Sequence, residues 1–174
     1  MKKVLIVLML GMGLAALGAG CRKEGQGGGA ASGDMKTLSD LVAFIDLVLA
    51  PGFDVAAAER RLGPIDRWLG ETAYVNDADP ALRESAIETL HKKFSGIQTN
   101  LKHPLEVPWK DLTRALGNGE ERMNEVDNFS GRVSYRFVRQ LPNNRRGSVF
   151  LYAKRNQDPA RIEMVVVRLD PVAP

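Results

Sequence analysis

The chain of 174 residues holds a single cysteine, Cys21, so it has no pair with which to close an internal disulfide. Its two histidines, His91 and His103, fall far outside the three- to five-residue spacing that zinc sites favour. No G-x-S-x-G elbow and no thiol beyond Cys21 offers a nucleophile, and neither Gly27-Gly28-Gly29 nor Gly117-Asn118-Gly119 is followed by the lysine of a phosphate loop. Asp77 and Asp79 flank a turn but lack the glycine and distal glutamate of a calcium loop. Aromatic residues make up only 6% of the chain, which singles out each of the two tryptophans, Trp68 and Trp109. These absences point away from an enzyme and imply neither cofactor nor metal.

Charge is similarly uninformative as a total. The pI of about 9.1 owes much to Lys2 and Lys3. From residue 21 onward the chain carries 22 basic and 21 acidic side chains, so net charge implies no nucleic-acid partner. The distribution is uneven: residues 22–130 hold 13 basic and 18 acidic groups, residues 131–174 hold 9 and 3. A basic C-terminal sheet face is the expectation, with most of its arginines on the solvent side.

What the sequence does contain begins at its start. Lys2 and Lys3 precede an apolar run of 14 residues, Val4 to Leu17, and Gly18, Ala19 and Gly20 then lead to Cys21. That is the layout of an export signal, and the run is short for a membrane span. The stretch Leu17-Gly18-Ala19-Gly20-Cys21 resembles the lipobox of bacterial lipoproteins, although Leu17 stands four residues before the cysteine where the family places it three before. The resemblance implies a signal peptide over 1–20, lipidation (palmitate among the acyl groups) at Cys21, and a lipid bilayer as partner. Arg22 follows Cys21 where aspartate favours inner-membrane retention, so a periplasm-facing position on the outer membrane is favoured over the inner one. Arg22 to Asp34 contains five glycines and no apolar residue larger than alanine, which makes 21–34 a lipidated cysteine with a flexible tether of roughly 20 Å root-mean-square reach.

Residues 35–174 then form one domain, long enough to bury about 68–70% of its unfolded surface without staples. Leu38, Leu41, Val42, Ile45, Val48 and Leu49 make a helical stripe capped at Thr37 or Ser39 and ended by Ala50-Pro51-Gly52. Asp54 caps a second helix that stops at Gly63-Pro64, and Ile65, Trp68 and Leu69 suggest a further helical turn. Leu82, Ala86, Leu90 and Phe94 repeat every four residues behind Asp79-Pro80, predicting a third helix closed by Gly96. Ile97 to His103 alternates as a strand, and Pro108 opens a helix carrying Trp109, Leu112, Ala115 and Leu116. From Val133 the apolar period becomes two. Runs at 133–141, 149–153 and 162–169, separated by Pro142-Asn143-Asn144 and Asn156-Gln157-Asp158-Pro159, predict an antiparallel meander. The expected fold is therefore α+β: N-terminal helices packed on a C-terminal, three-stranded or slightly larger antiparallel β-meander.

Gly52, Leu62 and Gly63 sit at spacings similar to the helix motif of the small lipoproteins of the outer-membrane barrel-assembly machinery. That family also follows two short helices with a three-stranded meander. None of its binding residues maps onto a position here. The function expected is a membrane-anchored envelope lipoprotein serving as a binding or scaffold module for an envelope protein. An inhibitor or immunity-type protein using its sheet face is the alternative, and a periplasmic enzyme with a site of scattered residues a lesser one. Trp109, Tyr135 and Arg136 are the candidate partner-binding surface, while packing in the core is the plainer use of Trp68 and Trp109.

Overall fold

The structure is a computed structural model and describes residues 35–122, 132–154 and 157–170. The leader, Cys21, the tether and the chain end lie outside the described residues. The described residues form three α-helices and eight strands: α1 (Leu38–Leu49), α2 (Val55–Leu62), β1 (Ile65–Leu69), β2 (Thr72–Val75), β3 (Leu82–Leu90), β4 (Lys93–Val107), α3 (Trp109–Leu116), β5 (Glu120–Arg122), β6 (Arg132–Leu141), β7 (Arg145–Lys154) and β8 (Ala160–Leu169). All eight strands join one antiparallel sheet in the order β1-β2-β3-β4-β8-β7-β6-β5. Two four-stranded meanders, β1–β4 and β5–β8, thus meet at a single seam between β4 and β8.

The three-stranded C-terminal meander expected from the sequence is corrected by this sheet, which begins at Ile65 and spans most of the described chain. The expected helix behind Asp79-Pro80 is instead the β3–β4 hairpin. A spacing of four residues serves a helical stripe, but it also satisfies the even alternation of a strand. The turn gave no warning either. His91 and Lys92 both take positive φ, 51° and 63°, the tight-hairpin geometry that usually calls for asparagine and glycine. A bulge between Arg83 and Ala86, with Glu84 at φ 53°, further scrambles the pattern. Beyond it Ala86 and Ile87 are buried on opposite faces of the sheet. Ile65 to Leu69 likewise forms edge strand β1 rather than a helical turn.

The signals for α1, α2 and α3 do place those helices. Thr37 and Asp40 form a reciprocal capping box at α1: the Asp40 carboxylate accepts from Thr37 Oγ1 at 2.7 Å and Thr37 N at 2.8 Å, and Thr37 Oγ1 accepts from Asp40 N at 3.2 Å. At α2, Asp54 accepts from Ala57 N at 2.7 Å. Gly63 ends that helix at φ 135°, and a Cβ there would lie 2.0 Å from the Asn76 carbonyl oxygen, so only glycine fits.

All three helices cover the same face of the sheet. Leu41, Ile45 and Val48 of α1, Leu62 of α2 and Leu112 of α3 share one core with Ile87, Ile97, Phe137, Val149, Leu151, Ile162, Val165 and Val167. Ser85 Oγ and Thr99 Oγ1, buried at the sheet, hydrogen-bond each other at 2.7 Å. The most buried ion pair joins Arg61 of α2 to Asp79, whose side chains are 10% and 2% exposed. Asp79 also accepts from Ala81 N at 2.8 Å, and Arg61 lies over the Phe44 ring at 5.6 Å. The asparate thus fixes a turn into β3 and clamps α2 to the sheet, where the sequence suggested a helix cap.

Two consequences follow for stability. Asp79→Ala leaves Arg61 buried and unpaired and is expected to cost about 3–5 kcal/mol in urea unfolding, whereas replacing both residues with apolar ones of similar volume recovers most of that loss. Hydrogen bonds from Thr37 hold the Asp40 carboxyl below its ordinary 3.8. Its contribution to the α1 start is therefore complete above 3.8 and lost as pH falls through the lowered value. The stability gap between the parent and Asp40→Asn is expected at pH 7 and should close in unfolding curves recorded well below pH 3.8.

Candidate functional site

Strand alternation decides which candidate residues can act together. On β6, Val133, Tyr135, Phe137 and Arg139 face the helices, while Ser134, Arg136 and Val138 face the opposite side. Tyr135 and Arg136 therefore lie on different faces, and the candidate trio of Trp109, Tyr135 and Arg136 divides into two surfaces.

Trp109 and Tyr135 come together on the helix side. Trp109 is the first residue of α3, and its ring centroid lies 4.4 Å from that of Tyr135 with the planes tilted by 56°. Phe137 backs the pair at 6.1 Å. Gly119 allows this approach, since a Cβ there would sit 2.7 Å from the Phe137 ring. The short strand β5 pairs Glu121 with Tyr135 and so sets a carboxylate on the same side. A second carboxylate arrives from a distant part of the chain. Pro108 gives α3 no side-chain cap, and Asp158 Oδ1 instead accepts from Trp109 N at 3.0 Å. Trp109, Gly119, Glu121, Tyr135, Gln157 and Asp158 line an open concavity of about 510 Å³.

Arg136 belongs to the other face, over which no described helix packs. There the register lays Arg136, Phe150, Val166, Gln98, Ala86, Tyr74 and Arg67 in one row across seven strands. Arg136 and Arg168 each lie 6.0 Å from the Phe150 ring centroid. Arg136 donates to Ser148 Oγ at 2.8 Å, Ser148 donates to Asp170 at 2.7 Å, and Arg168 grips Glu88 with two bonds of 2.7 Å. The Glu88 carboxylate holds the Arg168 pKa above its ordinary value. Arg132, Arg139 and Arg161 also have acidic partners, in Glu163, Asp46 and Glu163 respectively. The arginine excess of the last strands is thus largely engaged within the protein.

Trp68 stands on edge strand β1 with 51% of its surface exposed, beside Leu69 at 68%, so the core role expected for it does not hold. His91 is exposed at the β3–β4 turn and His103 in the irregular stretch of β4, far from each other in the fold. Among the described residues no three histidine, cysteine or acidic side chains gather to hold a metal. A second concavity, of about 520 Å³ between the ends of α1, α3 and β6, is bridged by Arg139, which bonds Asp46 at 2.7 Å and the Ala115 carbonyl at 3.3 Å.

Glu121 and Asp158 escaped the sequence reading, as a solvated loop acid and a turn residue. The parity that pairs β5 with Tyr135 and the missing cap at Pro108 were the available signals. No family model and no curated protein matches the chain. Among solved structures, ORF14 from Sulfolobus Islandicus Filamentous Virus is similar over 44% of this chain and 69% of its own, at 14% identity and a TM-score of 0.36, too loose a likeness to carry an argument.

The role of Asp158 is testable directly. Asp158→Ala is expected to lower stability by about 1 kcal/mol through the lost cap, and to change the near-ultraviolet circular dichroism of Trp109 as its contact with Tyr135 loosens.

Proposed function

We propose that the protein is a lipid-anchored envelope lipoprotein whose tethered domain is a binding module, with the Trp109–Tyr135 concavity as its binding site. One observation carries the anchoring: the basic, apolar and small-residue leader ends on the chain's only cysteine, directly ahead of a glycine-rich tether. Acyl chains contribute about 0.8 kcal/mol per buried methylene, so multiple acylation at Cys21 exceeds what stable membrane attachment needs. The binding role draws support from the paired rings at 4.4 Å, which are only part-buried and open to a rimmed concavity instead of being sealed in the core.

The aromatic and arginine row on the open sheet face keeps the inhibitor-type reading in play as a second docking surface. Its arginines, however, already have internal acidic partners, which lowers their availability to a partner's carboxylates.

Expression of the full chain in a two-membrane bacterium tests the anchoring. The parent is expected in the membrane fraction, with a globomycin-induced mobility shift, and Cys21→Ala in the soluble periplasmic fraction. Membrane association of Cys21→Ala with unchanged mobility refutes it.

A further inference from the structure

We infer that the outer edge of β1 is a self-association surface, at which two copies of the chain pair antiparallel about Trp68 and join their sheets into one. This edge lies at the opposite end of the sheet from β5 and β6, so it is separate from the Trp109–Tyr135 concavity. Among the described residues β1 has a strand on one side only. Exposed edges are ordinarily blunted by charge, as in β5, whose three residues are all charged. β1 is not blunted in this way. Its only charges, Asp66 and Arg67, lie 3.5 Å apart and offset each other, while Trp68 and Leu69 are 51% and 68% exposed.

Hydrogen bonding in the ladder fixes which groups the edge offers. The Glu71 carbonyl accepts from Thr89 N at 2.8 Å, so Ala73, two residues on, turns its N–H and C=O toward Ile87 of β3. Trp68 stands opposite Ala73 and therefore directs its own N–H and C=O away from β2, to the open edge. Its side chain ends the apolar row of Ala73, Ile87 and Ile97, past the cover of the helices.

A two-fold axis normal to the sheet keeps helix face beside helix face, so it must pass beside a single residue of the strand. Centring on Asp66 or Arg67 sets a charge against its own copy. Centring on Ile65 meets the bulge before Arg67, and centring on Leu69 meets the turn at Gly70, where φ is 60°. Only Trp68 avoids all of these. There the two copies exchange both N–H···O bonds, and their indole rings cover each other on the helix face. On the other face each Arg67, which lies over Tyr74 at 5.0 Å, stands opposite the second copy's Leu69 and covers it with its apolar stem. The fit follows from the strand's own order of residues, which commits this edge to a second copy.

Sedimentation equilibrium of the full chain, in density-matched detergent with micelles in excess, tests the pairing. A monomer–dimer equilibrium in the high micromolar range is expected, weak because one short edge buries less than a standard interface. Leu69→Glu places a carboxylate opposite Arg67 twice per dimer and is expected to hold or tighten it. Leu69→Lys sets like charges there, and Trp68→Asp sets them at the axis; each is expected to weaken the dimer about tenfold, since every change counts twice. Both positions are exposed, so unchanged circular dichroism confirms that the variants fold. A parent that stays monomeric into the millimolar range overturns the inference. Equal weakening by Leu69→Glu and Leu69→Lys also overturns it, because a nonspecific apolar patch does not distinguish the two. Growth beyond the dimer overturns it as well, since it shows β1 meeting a different edge instead of itself.

Discussion

The seam between β4 and β8 is the pairing on which the rest of the structure depends, because nothing else joins the two meanders edge to edge. Ile97 opposes Val167, Thr99 opposes Val165 and Leu105 opposes Ile162, with the intervening irregularity absorbed around Pro104, which has no N–H to give to a ladder. Those residues face α1, whose Leu41, Ile45 and Val48 have no exposure above 1%. The seam therefore works in two directions. It continues the hydrogen-bond ladder across the sheet and supplies the apolar floor on which the longest helix rests. Each strand beyond it depends on a neighbour nearer the seam.

The parts of this arrangement that the sequence disclosed are those governed by local chemistry. Thr37, Asp54 and Pro108 mark helix starts because capping and ring geometry act over three or four residues. The change of period at Val133 marked β6 to β8 for the same reason. What stayed hidden were features set at long range. Leu82, Ala86, Leu90 and Phe94 fit a helix as well as a strand, and the deciding influence was pairing with β2 and β4. The His91-Lys92 turn carried none of the residues that normally betray a hairpin. β1 was obscured by an exposed Trp68 and Leu69, which read as core residues when no neighbour is known.

The candidate site shows the same division. Trp109 and Tyr135 attracted notice as rare aromatics, and Arg136 joined them through adjacency in sequence. Adjacency in a strand means opposite faces, so Arg136 went to a different surface with Phe150 and Arg168. The acids that complete the concavity came from β5 and from the segment before β8, and Asp158 reaches α3 across 49 positions of chain. A site assembled from four separate parts of the chain leaves no compact motif to find. The sheet's two faces consequently present different chemistry: arginines paired with acids on one, the Trp109–Tyr135 rings beside Glu121 and Asp158 on the other.

The order of the strands has a consequence for how the molecule comes into being. β8 follows every other strand in the chain, yet it occupies the middle of the sheet. Until β8 arrives, the first meander ends in a bare edge along β4, one of the longest and least charged edges it could present, and α1 lacks half of its floor. Such an edge invites pairing with any extended chain nearby. Closing it requires contacts that run from Val107 with Ala160 to Gly96 with Arg168, more than fifty positions apart throughout, which is slow compared with the local hairpins. A chain cut short ahead of β8 therefore keeps an open, adhesive sheet in place of a finished one.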